Sequence, residues 1–243
     1  MDGGFRLSTH VISLIDGGRQ SEKPRFLPPY AISGGISRKT SAIYSGDSIR
    51  QTRKSAIHKA KIGPKRRSLA WDTHSSRERP AGIGRELAAL FAADGHDLVI
   101  TARSQERLDM IKTKLEQRFG VHVVTFAIDL SEANAPKKLH DFTTSQGIAV
   151  DHLVNNAGFA DWTDFLDADW NRQNEMMQLN MHALAELTYR YGRDMRANGH
   201  GRILNISSVA SMMAGPYMAM YFASKAFVRS LSEAVAHELR GTG

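Results

Sequence analysis

Asp97-Leu98-Val99-Ile100-Thr101-Ala102 is the stretch whose reading decides the fold. It is short, apolar and rich in β-branched residues, the pattern of a buried strand. Upstream, residues 84–94 put Leu87, Leu90 and Phe91 on one face of a helix, and Gly95 follows as a stop. Downstream, Ser104 caps a second helix with Leu108, Ile111 and Leu115 along its stripe, and Gly120 ends it. The alternation continues with a strand at 121–128, a helix at 131–146 and a strand at 150–154. A long helix over 170–197 follows, with Met177, Leu184, Leu187 and Tyr191 inward, then a strand at 202–206 and a helix over about 217–239. Apolar strands spaced by helices predict an α/β fold, a doubly wound parallel sheet covered on both faces.

Residues 1–81 have a different texture. They carry 16 Lys and Arg against 6 Asp and Glu, a net of +10, whereas residues 82–243 have a net of −3. The isoelectric point of about 9.7 therefore belongs to the N-terminal third. Gly17-Gly18, Pro28-Pro29, Gly34-Gly35 and Pro64 punctuate that third, which shows no sustained period. It is expected to be a basic segment, disordered or read out of frame, ahead of a folded domain at 82–243. Lys59, Lys61, Lys65, Arg66 and Arg67 cluster, but without interleaved aromatics, so a nucleic-acid partner is not expected.

The chain has no cysteine, which excludes disulfides, thiolate nucleophiles and Cys-ligated metals and suits the cytoplasm. No apolar run reaches a membrane span, and Asp2, Asp16 and Glu22 argue against a leader. A cytoplasmic protein with no membrane partner is expected. His152, His182 and His237 are scattered without metal-ligand spacing, so no metal is expected.

Tyr221 and Lys225 lie four apart on a predicted helix and share a face. An ammonium there favours the phenolate, letting tyrosine act as acid or base below its ordinary pKa of about 10. Asn205-Ile206-Ser207-Ser208 closes the preceding strand, at the end of the sheet where ligands bind. A hydroxyl there can hydrogen-bond a reacting oxygen. Asn155-Asn156-Ala157-Gly158 ends another strand, and Asn180 falls inside the long helix, where asparagine is a poor former and could instead cap a kink.

Together with Gly82-Ile83-Gly84 and Asp129-Leu130, these motifs resemble the short-chain dehydrogenase/reductase family, single-domain enzymes with a Rossmann-like fold. The resemblance covers residues 82–243. It implies an oxidoreductase moving a hydride between a nicotinamide cofactor and a small carbonyl or alcohol substrate. Tyr221 would exchange the proton with the substrate oxygen, and Ser208, favoured over Ser207 by family spacing, would hydrogen-bond that oxygen. Lys225 would hold the nicotinamide ribose and lower the tyrosine pKa, and Asn180 would position a relay water. Gly82, Ile83, Gly84, Asp129, Leu130, Asn155, Ala157 and Gly158 would line the cofactor, with Asp129 at the adenine and Asn155 near the adjacent ribose. The family often pairs copies through its two long helices, so a homo-oligomer is implied if those helices fold.

The second strand ends Thr101-Ala102-Arg103-Ser104, with no carboxylate to bind a ribose 2′-hydroxyl. Arg103 suits a 2′-phosphate instead, so NADP(H) is favoured over NAD(H). The phosphate-binding turn departs from the family. Arg77-Glu78-Arg79-Pro80-Ala81 stands where strand, Thr-Gly and spacer are expected, and Glu78 would repel a pyrophosphate. Read one base out of step, the codons for residues 70–82 permit Met-Gly-His-Thr-Phe-Val-Thr-Gly-Ala-Thr-Ser, the missing strand and turn. The chain also stops where family members continue into further strands. The sheet is therefore expected to be incomplete at its first strand and its C-terminal strands. The alternative function is an inactive fragment of the family whose basic tail binds nucleic acid.

Overall fold

The computed structural model describes Thr9–Ser13 and residues 82–243. Five parallel strands form one sheet in the order β3-β2-β1-β4-β5. These are β1 (Thr9–Ser13), β2 (Asp97–Ala102), β3 (Val123–Ala127), β4 (Val150–Asn155) and β5 (Arg202–Asn205). The helices are α1 (Ile83–Ala93), α2 (Gln105–Phe119), α3 (Ala135–Ser145), α4 (Trp170–Met177), α5 (Leu184–Asn198) and α6 (Ala219–Glu238).

Strand β2 shows why the fold is doubly wound. Leu98 and Ile100 pack with Ala88, Ala92, Leu108 and Leu115 of α1 and α2. Val99, between them in sequence, faces the other way, into a core with Leu139, Leu187 and Tyr191 of α3 and α5. Successive side chains of a strand point to opposite faces, and here both faces are dry. Ser104 caps α2 by accepting from the Arg107 N–H at 3.3 Å, and Gly120 closes that helix at φ 72°.

The first strand differs from expectation. None is legible directly before Gly82, yet Thr9–Ser13 takes the central position, pairing with β2 (Val11 opposite Val99) and with β4 (Val11 opposite Leu153). The signal available was the β-branched pair Val11-Ile12, too short to stand out in a segment rich in Gly, Ser and Arg. At the other end the sheet stops at β5, with no further strand among the described residues.

Three local readings are corrected. Leu90 is 53% exposed, because α1 seats its small residues Ala88, Ala89 and Ala92 on the sheet. Met176 rather than Met177 is buried in α4. The helix expected over 170–197 is interrupted by a π-helical turn at Gln178–Ala183. The basic cluster at 59–67 and the residues at the glycine-turn position, 77–81, lie outside the described residues.

Candidate active site

The C-terminal ends of β4 and β5 are tied together before any functional side chain is reached. Ile206 N–H donates to the Asn155 carbonyl at 2.9 Å, carrying the pairing one step past the strands. The buried Asn155 amide donates to Thr188 Oγ1 at 3.1 Å and to Asn205 Oδ1 at 2.9 Å, and Asn205 donates to Ser232 Oγ of α6 at 3.0 Å. Asn155 thus fixes the two strand ends to α5 and α6.

Asn180 lies in the π turn, where the extra residue per turn swings its side chain out of register with the helix. The side chain is buried and makes three hydrogen bonds. Its Oδ1 accepts from Phe159 N–H at 3.1 Å, and its Nδ2 donates to the Phe159 carbonyl at 2.9 Å and to Ser224 Oγ at 3.1 Å. Ser224 in turn donates to the Tyr221 carbonyl at 2.7 Å. Asn180 therefore clamps the segment after β4 to the first turns of α6. Gly158 lies inside this clamp: a Cβ there would stand 2.9 Å from Asn180 Oδ1 and 3.7 Å from Lys225 Nζ.

Tyr221 and Lys225 share one face of α6, with Nζ 5.9 Å from the centre of the phenol ring. Lys225 is 7% exposed and donates to the Ile206 carbonyl at 3.0 Å. Burial pushes its pKa down. Ser207 and Ser208 are separated by their partners. Ser207 Oγ donates to the Lys225 carbonyl at 3.1 Å and is occupied with packing β5 against α6. Ser208 opens the 3₁₀ turn Val209–Met212, and its Oγ accepts from Ala210 N–H at 3.2 Å, leaving the hydroxyl proton to donate elsewhere.

A second group gathers at the ends of β2 and β3. A cavity of about 440 Å³ is lined by Arg103, Asp129, Glu132 and Lys138 around the strand end Phe126-Ala127-Ile128. Asp129 Oδ1 accepts from Ser131 N–H at 2.9 Å and Ser131 Oγ at 2.6 Å, which holds the turn after β3. Leu130 is buried behind it. Lys138, from the first turns of α3, escaped the sequence reading, since nothing in Ala135-Pro136-Lys137-Lys138 tells which of the two exposed lysines borders the cavity. Gly82 caps α1, its carbonyl accepting from Arg85 N–H at 2.9 Å; Gly84 is buried and Ile83 is 58% exposed. A cavity of about 410 Å³ runs along β5, α5 and α6; Thr188, Asn205 and Ser232 line it, and Asn180, Ser208, Tyr221 and Lys225 do not. Among the described residues no cluster of His, Asp and Glu could hold a metal, and no helix is long and apolar enough to cross a membrane.

Asn180 of the π turn, Ser208 at the start of the 3₁₀ turn, and Tyr221 and Lys225 of α6 thus come together from three separate elements, and residues 80–243 match the short chain dehydrogenase family. The chain belongs to that family. It is 26% identical over 162 residues to the 7beta-hydroxysteroid dehydrogenase of Collinsella aerofaciens, covering 67% of this chain and 61% of that one. It is 30% identical over 167 residues to the human very-long-chain 3-oxoacyl-CoA reductase, with 67% and 53% covered. Among solved structures it resembles a short-chain dehydrogenase from Sphingobium yanoikuyae in complex with NADPH, with a TM-score of 0.63, 33% identity, and 67% and 63% covered. The chain spans about half to three fifths of the length of the curated relatives it matches. Like other short-chain dehydrogenases it has the α/β parallel sheet of a Rossmann-like fold.

Proposed function

We propose that this chain is an NADP(H)-dependent oxidoreductase that interconverts a ketone or aldehyde and its alcohol, with Tyr221 as the proton donor and acceptor. The observation that carries the reading is the convergence of Tyr221, Lys225, Ser208 and Asn180 on the ends of β4 and β5. The Tyr221 phenol gives its proton to the carbonyl oxygen during reduction and takes it back during oxidation. Ser208, its lone pair held by Ala210 N–H, donates to the same oxygen and steadies the charge developing there. The Lys225 ammonium lies 5.9 Å from the centre of the phenol ring. One of its three protons goes to Ile206, which leaves donors for a ribose hydroxyl or a relay water beside Asn180.

The residues present fit a dinucleotide. Gly158 keeps side-chain atoms out of the space between Asn180 and Lys225, and Arg103 and Lys138 stand beside Asp129 and Glu132 at the cavity beyond β2 and β3. When bound, the cofactor supplies or takes the hydride. Arg103 and Lys138 suit the 2′-phosphate of NADP(H) and lack an equal partner on NAD(H).

Titrating NADPH into the purified chain while following cofactor fluorescence tests the reading. Saturable binding that Arg103→Glu weakens at least tenfold supports it. Absence of NADPH binding, or NADPH binding left unchanged by Arg103→Glu, rejects it.

A further inference from the structure

The segments that follow β4 and β5 and carry Ser208 and lead into Tyr221 expose several apolar side chains. Trp162 and Tyr217, from the segments following β4 and β5, stack with centroids 6.1 Å apart and planes 14° from parallel. Each is 54% exposed, so each ring turns a face to solvent. The two segments are bonded at this point, Thr163 N–H donating to the Tyr217 carbonyl at 2.8 Å. Tyr217 adopts φ 64°, a left-handed conformation rare for a bulky side chain and concentrated at functional positions. The backbone just before it is fixed from behind: a Cβ on Gly215 would overlap the ring of Phe222, the neighbour of Tyr221 on α6.

The apolar surface continues along the same segment. Val209 and Met212, three apart on the 3₁₀ turn and so on one side of it, are 79% and 70% exposed. Exposed apolar side chains grouped in this way mark ligand-binding surfaces.

Charge decides which ligand. From Ser207 to Met220 there is no charged residue, and residues 159–169 hold Asp161, Asp164, Asp167 and Asp169 without a single Lys or Arg. The next base, Arg172, lies 3.8 Å over the Phe159 ring and is paired with Glu175 at 2.6 Å. A carboxylate or a phosphate-bearing carrier would therefore meet only negative or neutral side chains on these two segments.

We infer that the site takes a neutral, bulky cyclic ketone or alcohol, and that the Trp162–Tyr217 stack is the platform that determines this specificity. This rests on the oxidoreductase reading, because Ser208 and Tyr221 define where the carbonyl lies. A flat or alicyclic ring system lies against the exposed aromatic faces while its oxygen reaches the two hydroxyls.

Isothermal titration calorimetry on the full chain, with and without NADPH, tests it using 2-decalone as the neutral probe and levulinate as the anionic one. Binding of 2-decalone at least tenfold tighter than levulinate is expected. Trp162→Ala and Tyr217→Gly should each weaken it about tenfold, whereas Tyr217→Phe should not; glycine tolerates φ 64°, and circular dichroism checks each fold. Unchanged 2-decalone affinity in Trp162→Ala and Tyr217→Gly, levulinate binding as tight as 2-decalone, or no 2-decalone binding under either condition overturns the inference. The oxidoreductase reading fails separately, when the ketone is captured but NADPH is neither bound nor oxidised.

Discussion

Replacing Asn180 by alanine probes the joint on which the whole site depends. The side chain is 1% exposed and its amide makes three hydrogen bonds, two to the Phe159 backbone and one to Ser224. At about 1 kcal/mol of net stabilisation for each, the substitution removes about 3 kcal/mol. With a urea dependence of about 2 kcal/mol per molar, the unfolding midpoint falls by about 1.5 M. Equilibrium unfolding in urea, followed by far-ultraviolet circular dichroism, measures this directly. Asn180→Asp keeps the acceptor for Phe159 N–H but sets an oxygen against the Phe159 carbonyl, so it should lose at least as much. A midpoint shift below about 0.4 M in Asn180→Ala would mean the clamp contributes under 1 kcal/mol, and the account of how the site is assembled would be refuted.

Tyr221→Phe should lower turnover by about 10²- to 10⁴-fold while leaving NADPH affinity within about twofold, as steady-state kinetics beside a fluorescence titration would reveal. Lys138→Ala is expected to weaken NADPH about tenfold and NADH hardly at all, measured as the ratio of the two dissociation constants. His152 has its pKa pushed down, first by burial and then by neighbouring His96. The unfolded chain then takes a proton at pH values just below 6.5 that the folded chain refuses, so stability falls as pH drops through that range. His152→Phe should reduce this acid-linked loss, read as the difference between urea midpoints at pH 7.5 and 5.5; an identical difference in both proteins would remove His152 as its source.

Much of the fold was legible because periodicity survives on its own. The Asp97–Ala102 run, the Ser104 cap and the Gly120 stop behave as their chemistry predicts. Leu90 did not, since hydrophobicity alone cannot tell that a helix will seat its alanines rather than its leucines on a sheet. The π turn was equally hidden: only Asn180 hinted at it, and its cause is a partner, Phe159, twenty-one residues away. The short strand at Thr9–Ser13 escaped because its partners lie far along the chain. At the site, the spacing of Tyr221 and Lys225 could be read directly, whereas the different duties of Ser207 and Ser208 depend on which backbone each meets. Lys138 is a surface lysine in sequence and a cavity wall only in space.

The position of β1 has a consequence for how the molecule assembles. Its Thr9 pairs with Asp97 and Val150, so the middle of the sheet is the segment most remote in sequence from its neighbours. The two flanking halves, β2 with β3 and β4 with β5, can collapse locally, but joining them waits on closure of a very long loop. The equilibrium penalty is modest, about 0.6 kcal/mol for each doubling of loop length, so the kinetic effect dominates. Until that closure occurs, the inner edges of β2 and β4 are unpaired and open to other chains. Refolding of this protein should therefore be slow and strongly concentration-dependent in yield, with aggregation competing at the step that inserts the centre of the sheet.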